Sequence, residues 1–343
     1  MLYNLLVPWA SEWTALNVFR YITFRSMAAL ITALVLSILL GPRFIAWLRR
    51  LKCGQHILHE VTAHACKEGT PTMGGLLMLF SLTVSLLLWA DLGNFYIWQT
   101  LLVFWGFAAV GFWDDMTKLR HAENRGISGR AKLAGQLVVA VVAMLFLVTD
   151  PGYSSQLSIP FVKDWAPDLG PLYLPFGVFV MVASSNAVNL TDGLDGLCTG
   201  VTFVSMIGYL LAGSLLGFVH VSLVAAVTAG ACAGFLVWNF YPAKVFMGDT
   251  GSMFFGGIVT ALAFVMQRPE LVLFFGIVYI WDAMTVVIQR AYFKATHGKR
   301  IFRMTPIHHA FEMRGWREVK IDGFFALIAA IGVAMGMLYI CVA

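Results

Sequence analysis

Charge is scarce in this chain. Lys, Arg, Asp and Glu make up 12% of its 343 residues, against 59% hydrophobic residues and a mean hydropathy of +0.80. Soluble domains carry about 25% charged residues, so the shortfall excludes a soluble globular protein and points to a polytopic membrane protein. Cysteine is scarce too. Cys53, Cys66, Cys198, Cys232 and Cys341 are scattered and odd in number, which implies no disulfide framework. Cys53, His56, His59, His64 and Cys66 do gather in one stretch, but the spacing C-x2-H-x2-H-x4-H-x-C matches none of the usual structural zinc patterns. A basic leader region is also missing: the N-terminus carries Pro8, Glu12 and several aromatics, so no cleavable signal peptide is expected.

Long apolar runs are abundant. Spans of roughly 17 to 25 residues cross a bilayer, and ten are expected here, at about 26–47, 73–90, 95–113, 131–149, 172–188, 197–212, 219–239, 252–267, 271–293 and 322–342. If the loops after odd-numbered spans are cytoplasmic, 19 of the 23 Lys and Arg fall on that side, all but Arg20, Arg25, Lys163 and Arg268. The positive-inside rule then places both termini outside. The formal net charge of +5 reflects this topology, with an added pull on anionic lipid or phosphate, and does not suggest nucleic-acid binding. The chain reads as one all-α membrane domain over 1–343, with 1–25 as an interfacial arm and 294–321 as a long basic cytoplasmic loop. The outer loop 150–171 holds short β-prone pieces that suit a small hairpin.

The few polar residues are concentrated. The stretch Asn186-Ala-Val-Asn189-Leu-Thr-Asp192-Gly-Leu-Asp195-Gly196 links two apolar runs, with far more Asn, Asp, Thr and Gly than a plain turn needs. Acids at a span's end usually face a cavity, a cation or a partner. Asp114 and Asp115 end the third run. Consecutive helical residues point about 100° apart, so one can face a cavity while the other supports it. Asp249 lies between Gly248 and Gly251 beside Thr250 and Ser252, an oxygen-rich turn that suits Mg²⁺. Lys67 precedes Gly69-Thr-Pro-Thr-Met-Gly-Gly75 at a helix start, which suits an anionic group, although Pro71 and Gly74 also fit a plain helix start. His308 and His309 suit phosphate contact or metal, and Asp282, inside the ninth run, should pair with a Lys, Arg or polar neighbour. On the expected topology these segments share the cytoplasmic face, and carboxylates, cations and Gly-rich turns are the parts of phosphoryl transfer.

The motifs GTPTMGG at 69–75, Asp114-Asp115, NAVNLTDGLDGL at 186–197, FMGDTGS at 246–252 and PIHHAFE at 306–312 closely resemble those of the phospho-N-acetylmuramoyl-pentapeptide transferase (translocase I) family, within the polyprenyl-phosphate N-acetylhexosamine-1-phosphate transferases. The resemblance covers nearly the whole chain. It implies Mg²⁺-dependent transfer of phospho-MurNAc-pentapeptide from UDP to undecaprenyl phosphate, giving lipid I and UMP, at the cytoplasmic side of the bacterial inner membrane. It implies that Asp249 binds Mg²⁺ with Asp115 nearby and that Asp114 is the base. A two-step route with an aspartyl intermediate stays open. Asn189, Asp192, Asp195, Phe246 and Lys67 would line the nucleoside region. His308 would be a catalytic-site histidine, His309 a diphosphate or nucleoside contact, and Lys118 and Lys132 would steer phosphates. Thr72, Asn239, Gly248, Ser252 and Gln289 complete the expected substrate-binding set. The family commonly carries three consecutive histidines in the last loop, and here the third position is Ala310. The apolar N-terminal arm and outer aromatics favour a homodimer. Two other readings stand beside this one: a sister enzyme using UDP-GlcNAc, and a transporter, against which count acids at one membrane edge and the lack of an inverted repeat.

Overall fold

The computed structural model describes residues 1–51, 69–121, 126–160, 162 and 165–342. The cluster Cys53, His56, His59, His64 and Cys66, and with it Lys67, lies outside the described residues. In chain order the helices are α1 (Leu2–Leu6), α2 (Ile22–Arg50), α3 (Gly75–Trp89), α4 (Phe95–His121), α5 (Gly129–Val148), α6 (Tyr173–Thr191), α7 (Leu197–Leu215), α8 (Val219–Asn239), α9 (Gly248–Val265), α10 (Leu271–Phe275), α11 (Ile277–Ala295), α12 (Ile307–Glu312) and α13 (Glu318–Val342). Among the described residues no strand forms. The 150–171 loop makes only isolated antiparallel bridges, Gln156 with Asp168 and Ile159 with Val162.

Helix α9 is the centre of the bundle. It is apolar on every face, as a fully enclosed helix must be, and every residue from Thr250 to Val265 is buried. Helices α4, α6 and α3 pack around it, while α8 packs between α2 and α7. Small residues make the crossings close, as is usual in membrane bundles. A Cβ on Gly75 would lie 2.3 Å from the Gly251 nitrogen, so α3 and α9 meet backbone to backbone there.

Eight helices among the described residues are long and apolar enough to cross a membrane, where the sequence suggested ten. The two differences have local causes. Helix α3 is 15 residues long, because Gly74 and Gly75 donate their N–H groups to the Phe246 and Met247 carbonyls at 2.8 Å instead of lying within a longer helix. The ninth apolar run is interrupted at Gly276, which separates α10 from α11. Three boundaries also move at the polar islands. Helix α4 runs on to His121, so Asp114 and Asp115 lie within the helix and not at its end. Helix α6 includes Asn186 and Asn189, which leaves Asp192–Gly196 as the turn. Helix α9 begins at Gly248, which puts Asp249 in its first turn. Antiparallel crossings then bring the C-terminal ends of α4 and α6 to the same end of the bundle as the N-terminal ends of α5 and α9.

Candidate active site

The site is built where those four helix ends meet. Because α4 continues past the aspartates, Lys118 stands one turn beyond Asp114, on the same face. Its Nζ lies 2.7 Å from Asp114 Oδ2 and 3.0 Å from Asp249 Oδ2. Lys132, in the first turn of α5, lies 2.6 Å from Asp249 Oδ2 and 3.8 Å from Asp114 Oδ2. From α6, Asn189 Nδ2 donates to Asp249 Oδ1 at 3.0 Å and to Ser252 Oγ at 2.8 Å. Three helices, α4, α5 and α6, therefore meet the Asp249 carboxylate.

Asp114 and Asp115 are both buried, at 3% and 2% exposure, yet they do different things. Asp114 Oδ1 accepts the Ile127 N–H at 2.9 Å, and its other oxygen faces the lysines. Asp115 points to the α9 terminus: its oxygens accept the Asp249 N–H at 3.1 Å, the Thr250 N–H at 2.9 Å and the Thr250 hydroxyl at 2.6 Å. Carboxylates suit this place, because the first N–H groups of a helix lack intrahelical acceptors and carry partial positive charge. Thr250, named in the sequence only as part of the oxygen-rich turn, takes a different part here: both its N–H and its hydroxyl bond to Asp115.

Asp114, Asp115 and Asp249 each offer an oxygen, all within 4.8 Å of one another. Three carboxylates against two ammoniums leave one formal negative charge. That all-oxygen set is what a hard divalent cation takes, so the residues present fit a metal, with Lys118 and Lys132 supplying positive charge on the same oxygens.

The remaining expected residues fall into three groups. Thr72 and Gly248 sit at the edge of the acid–lysine centre: a Cβ on Gly248 would lie 2.9 Å from Thr72 Oγ1. Phe246 is half-buried, with its backbone paired to Pro71 and Gly74. Asp192, half-buried at the C-terminal end of α6, has its carboxyl pushed up to about 8 by burial and by the neighbouring Asp249, Asp115 and Asp195 carboxylates. A second group lies behind the turn. Asp195 is buried and its Oδ2 accepts the Ala243 N–H at 2.9 Å, while Asn239 accepts from the Thr199 hydroxyl at 2.8 Å and donates to the Val245 carbonyl at 3.0 Å. Both hold the backbone that carries Phe246 and Asp249. Gln289 stands apart from these groups: its Oε1 accepts the Ile301 and Phe302 N–H groups, each at 3.0 Å, and so ties down the 296–306 loop.

The two histidines lie together, with ring centroids 4.3 Å apart. His309 Nδ1 is 3.0 Å from Glu312 Oε2 and the side chain is partly exposed. His308 is completely enclosed and pairs with Asp282, so the polar neighbour expected for that intramembrane acid is an imidazole. Ala310, at the departure from the family pattern, is buried.

A polytopic α-helical bundle whose helix ends converge on an acid–lysine centre defines a membrane-embedded transferase, and the profile of glycosyl transferase family 4 matches residues 97–267. A narrower signature, phospho-N-acetylmuramoyl-pentapeptide-transferase signature 1, matches residues 67–79. The chain is 60% identical to the phospho-N-acetylmuramoyl-pentapeptide-transferase of Desulfovibrio desulfuricans, over 94% of each chain. It is 51% identical to the protein of that name from Nitratidesulfovibrio vulgaris, over 96% of this chain and 97% of the relative. The chain belongs to the phospho-N-acetylmuramoyl-pentapeptide-transferase family.

Proposed function

We propose that this protein transfers phospho-MurNAc-pentapeptide from UDP-MurNAc-pentapeptide to undecaprenyl phosphate, giving undecaprenyl-diphospho-MurNAc-pentapeptide (lipid I) and UMP. The observation that carries the reading is the convergence of Asp114, Asp249, Lys118 and Lys132 from three helices on one point, in a chain whose relatives bear that transferase name along nearly their full length.

Both reacting groups are anionic phosphates, so the first task of the site is to neutralise charge with groups already in place. Lys118 and Lys132 do this, released from Asp249 and Asp114 as the phosphates arrive. Mg²⁺ is the proposed cofactor, held by Asp249 with Asp115 beside it, and when bound it neutralises the diphosphate. Asp114 takes the proton of the acceptor phosphate at Oδ2. The freed phosphate oxygen bonds to the sugar-linked phosphorus, the bond from that phosphorus to the UMP oxygen breaks, and UMP leaves with the electron pair. Asn189, Asp192, Phe246 and Lys67 line the nucleoside side, and His309 contacts the diphosphate. Asp195, Asn239 and Gln289 act on the substrate through the segments they hold. An apolar cavity of about 460 Å³, lined by Phe176, Phe179, Val180, Ala183, Ala187 and Met284, supports docking of a polyprenyl chain between α6 and α11. The site faces the cytoplasm of the bacterial inner membrane, and the protein acts as a homodimer.

The alternative donor, UDP-GlcNAc, is tested by incubating purified protein with each sugar nucleotide and undecaprenyl phosphate and weighing the extracted lipid. The mass of the MurNAc-pentapeptide product is expected. A product formed from UDP-GlcNAc alone would move the chain to the sister enzymes.

A further inference from the structure

Asp282, on α11, and His308, on α12, lie outside the acid–lysine network. Both are completely buried, at 0% exposure. Asp282 Oδ2 is 3.0 Å from His308 Nδ1. The other carboxylate oxygen, Oδ1, and the other imidazole nitrogen, Nε2, have no hydrogen-bond partner among the described residues. A buried polar atom without a partner is costly, and two at one pair call for an explanation.

The surroundings of Nε2 supply one. A Cβ built on Gly193 would lie 2.3 Å from His308 Nε2 and 3.2 Å from His309 Nε2. Only a residue with no side chain lets the imidazole come this close to the turn that carries Asp192. The ring is thus gripped from behind by the α11 carboxylate and presented, by its unpartnered edge, to the backbone of the substrate-facing turn.

We infer that Asp282 is a positioning residue: it holds His308 by Nδ1 so that Nε2 is left for an anionic phosphate oxygen of the substrate at the Asp192–Gly193 turn. The inference rests on the phosphoryl-transfer reading above. A carboxylate bonded to one ring nitrogen fixes the imidazole's orientation and dictates which nitrogen faces the ligand. When the ring is protonated, Nε2–H gives a charge-assisted hydrogen bond to the phosphate, and Asp282 balances the charge, so the buried pair adds no net charge to the bundle. Asp282 touches no substrate in this arrangement. It acts through His308.

The test is Asp282→Asn, which keeps the shape and removes the charge, beside Asp282→Glu, which keeps the carboxylate. Three properties are read for each: UMP release, thermal midpoint, and the ring-nitrogen resonances of ¹⁵N-histidine-labelled protein, with His308 assigned by its loss in His308→Gln. Asp282→Asn is expected to lower kcat by about tenfold to a hundredfold, as loss of a partner that orients a histidine does, to leave KM within about twofold, and to move the His308 resonances. Asp282→Glu is expected to recover a substantial part of kcat and the wild-type resonance pattern. Wild-type kcat in Asp282→Asn would overturn the inference, as would a loss of kcat with unmoved His308 resonances. Should Asp282→Asn fail to fold, Asp282→Glu decides: a folded protein with His308 resonances unlike the wild type's would equally overturn it. If the wild type itself releases no UMP, the functional reading fails, and the resonances still report whether Asp282 orients His308.

Discussion

Among the site residues, adjacent acids do separable jobs. Asp114 and Asp115 are neighbours in sequence, but the helical step sends one to the lysines and the other to the first turn of α9. Asp115 in effect caps a helix from another part of the chain, and a cap of this kind is worth about 1 kcal/mol. Asp115→Ala is therefore expected to lower the thermal midpoint by about 2 °C and to reduce turnover by misplacing Asp249. Thr250→Val, which removes one of the same hydrogen bonds, should reproduce the thermal loss in weaker form. An unchanged midpoint in Asp115→Ala with all activity gone would contradict the capping role and leave Asp115 a metal ligand only. The acids that converge in the structure were legible in the sequence because acids are expensive beside a bilayer, so each stands out against an apolar background. Their division of labour was not, since it depends on which helix end faces which acid. Gln289 and Asn239 show the same limit: the sequence marks them as polar residues of the site, but not that Gln289 bonds to the Ile301 and Phe302 backbone and Asn239 to the Val245 carbonyl and the Thr199 hydroxyl.

At the level of elements, α9 sets the geometry, because α4 and α6 pack on it and α5, which carries Lys132, packs on both of them. Its closeness to α3 depends on Gly75 meeting Gly251. Gly75→Ala forces backbone against side chain in a packed core, and overpacking of this sort costs about 1–3 kcal/mol. The expected outcome is a lowered midpoint and lowered activity, since the GTPTMGG segment and the start of α9 move apart together. Gly129→Ala, at a glycine with open space around its Cβ position, is the control and should leave both unchanged. Equal behaviour of the two variants would contradict the close crossing. The apolar runs located the elements well, but their ends only approximately. Hydropathy falls off where polar site residues begin, and these helices continue through them: α4 past Asp114, α6 to Thr191, α9 from Gly248. Hydropathy also reads through the break at Gly276, because both sides of it are equally apolar.

At the level of the whole molecule, a bundle with eight helices, among the described residues, long and apolar enough to cross a membrane carries a charged centre at one of its ends, the place proposed for a water-borne sugar nucleotide and a lipid phosphate to meet. The alternation of spans put the acid-bearing segments on one side in the sequence, and the structure brings Asp114, Asp115 and Asp249 together at one end of the bundle. The distances that let three acids and two lysines share one point come only from the packing. The central claim is that this end catalyses phosphoryl transfer between those two substrates, and sustained UMP release by the purified protein tests it most directly. UMP is expected to accumulate only when UDP-MurNAc-pentapeptide, undecaprenyl phosphate and Mg²⁺ are all present, and to stop accumulating in Asp249→Asn. Multiple-turnover release without the lipid phosphate, undiminished release in Asp249→Asn, or no release with the complete mixture would contradict it.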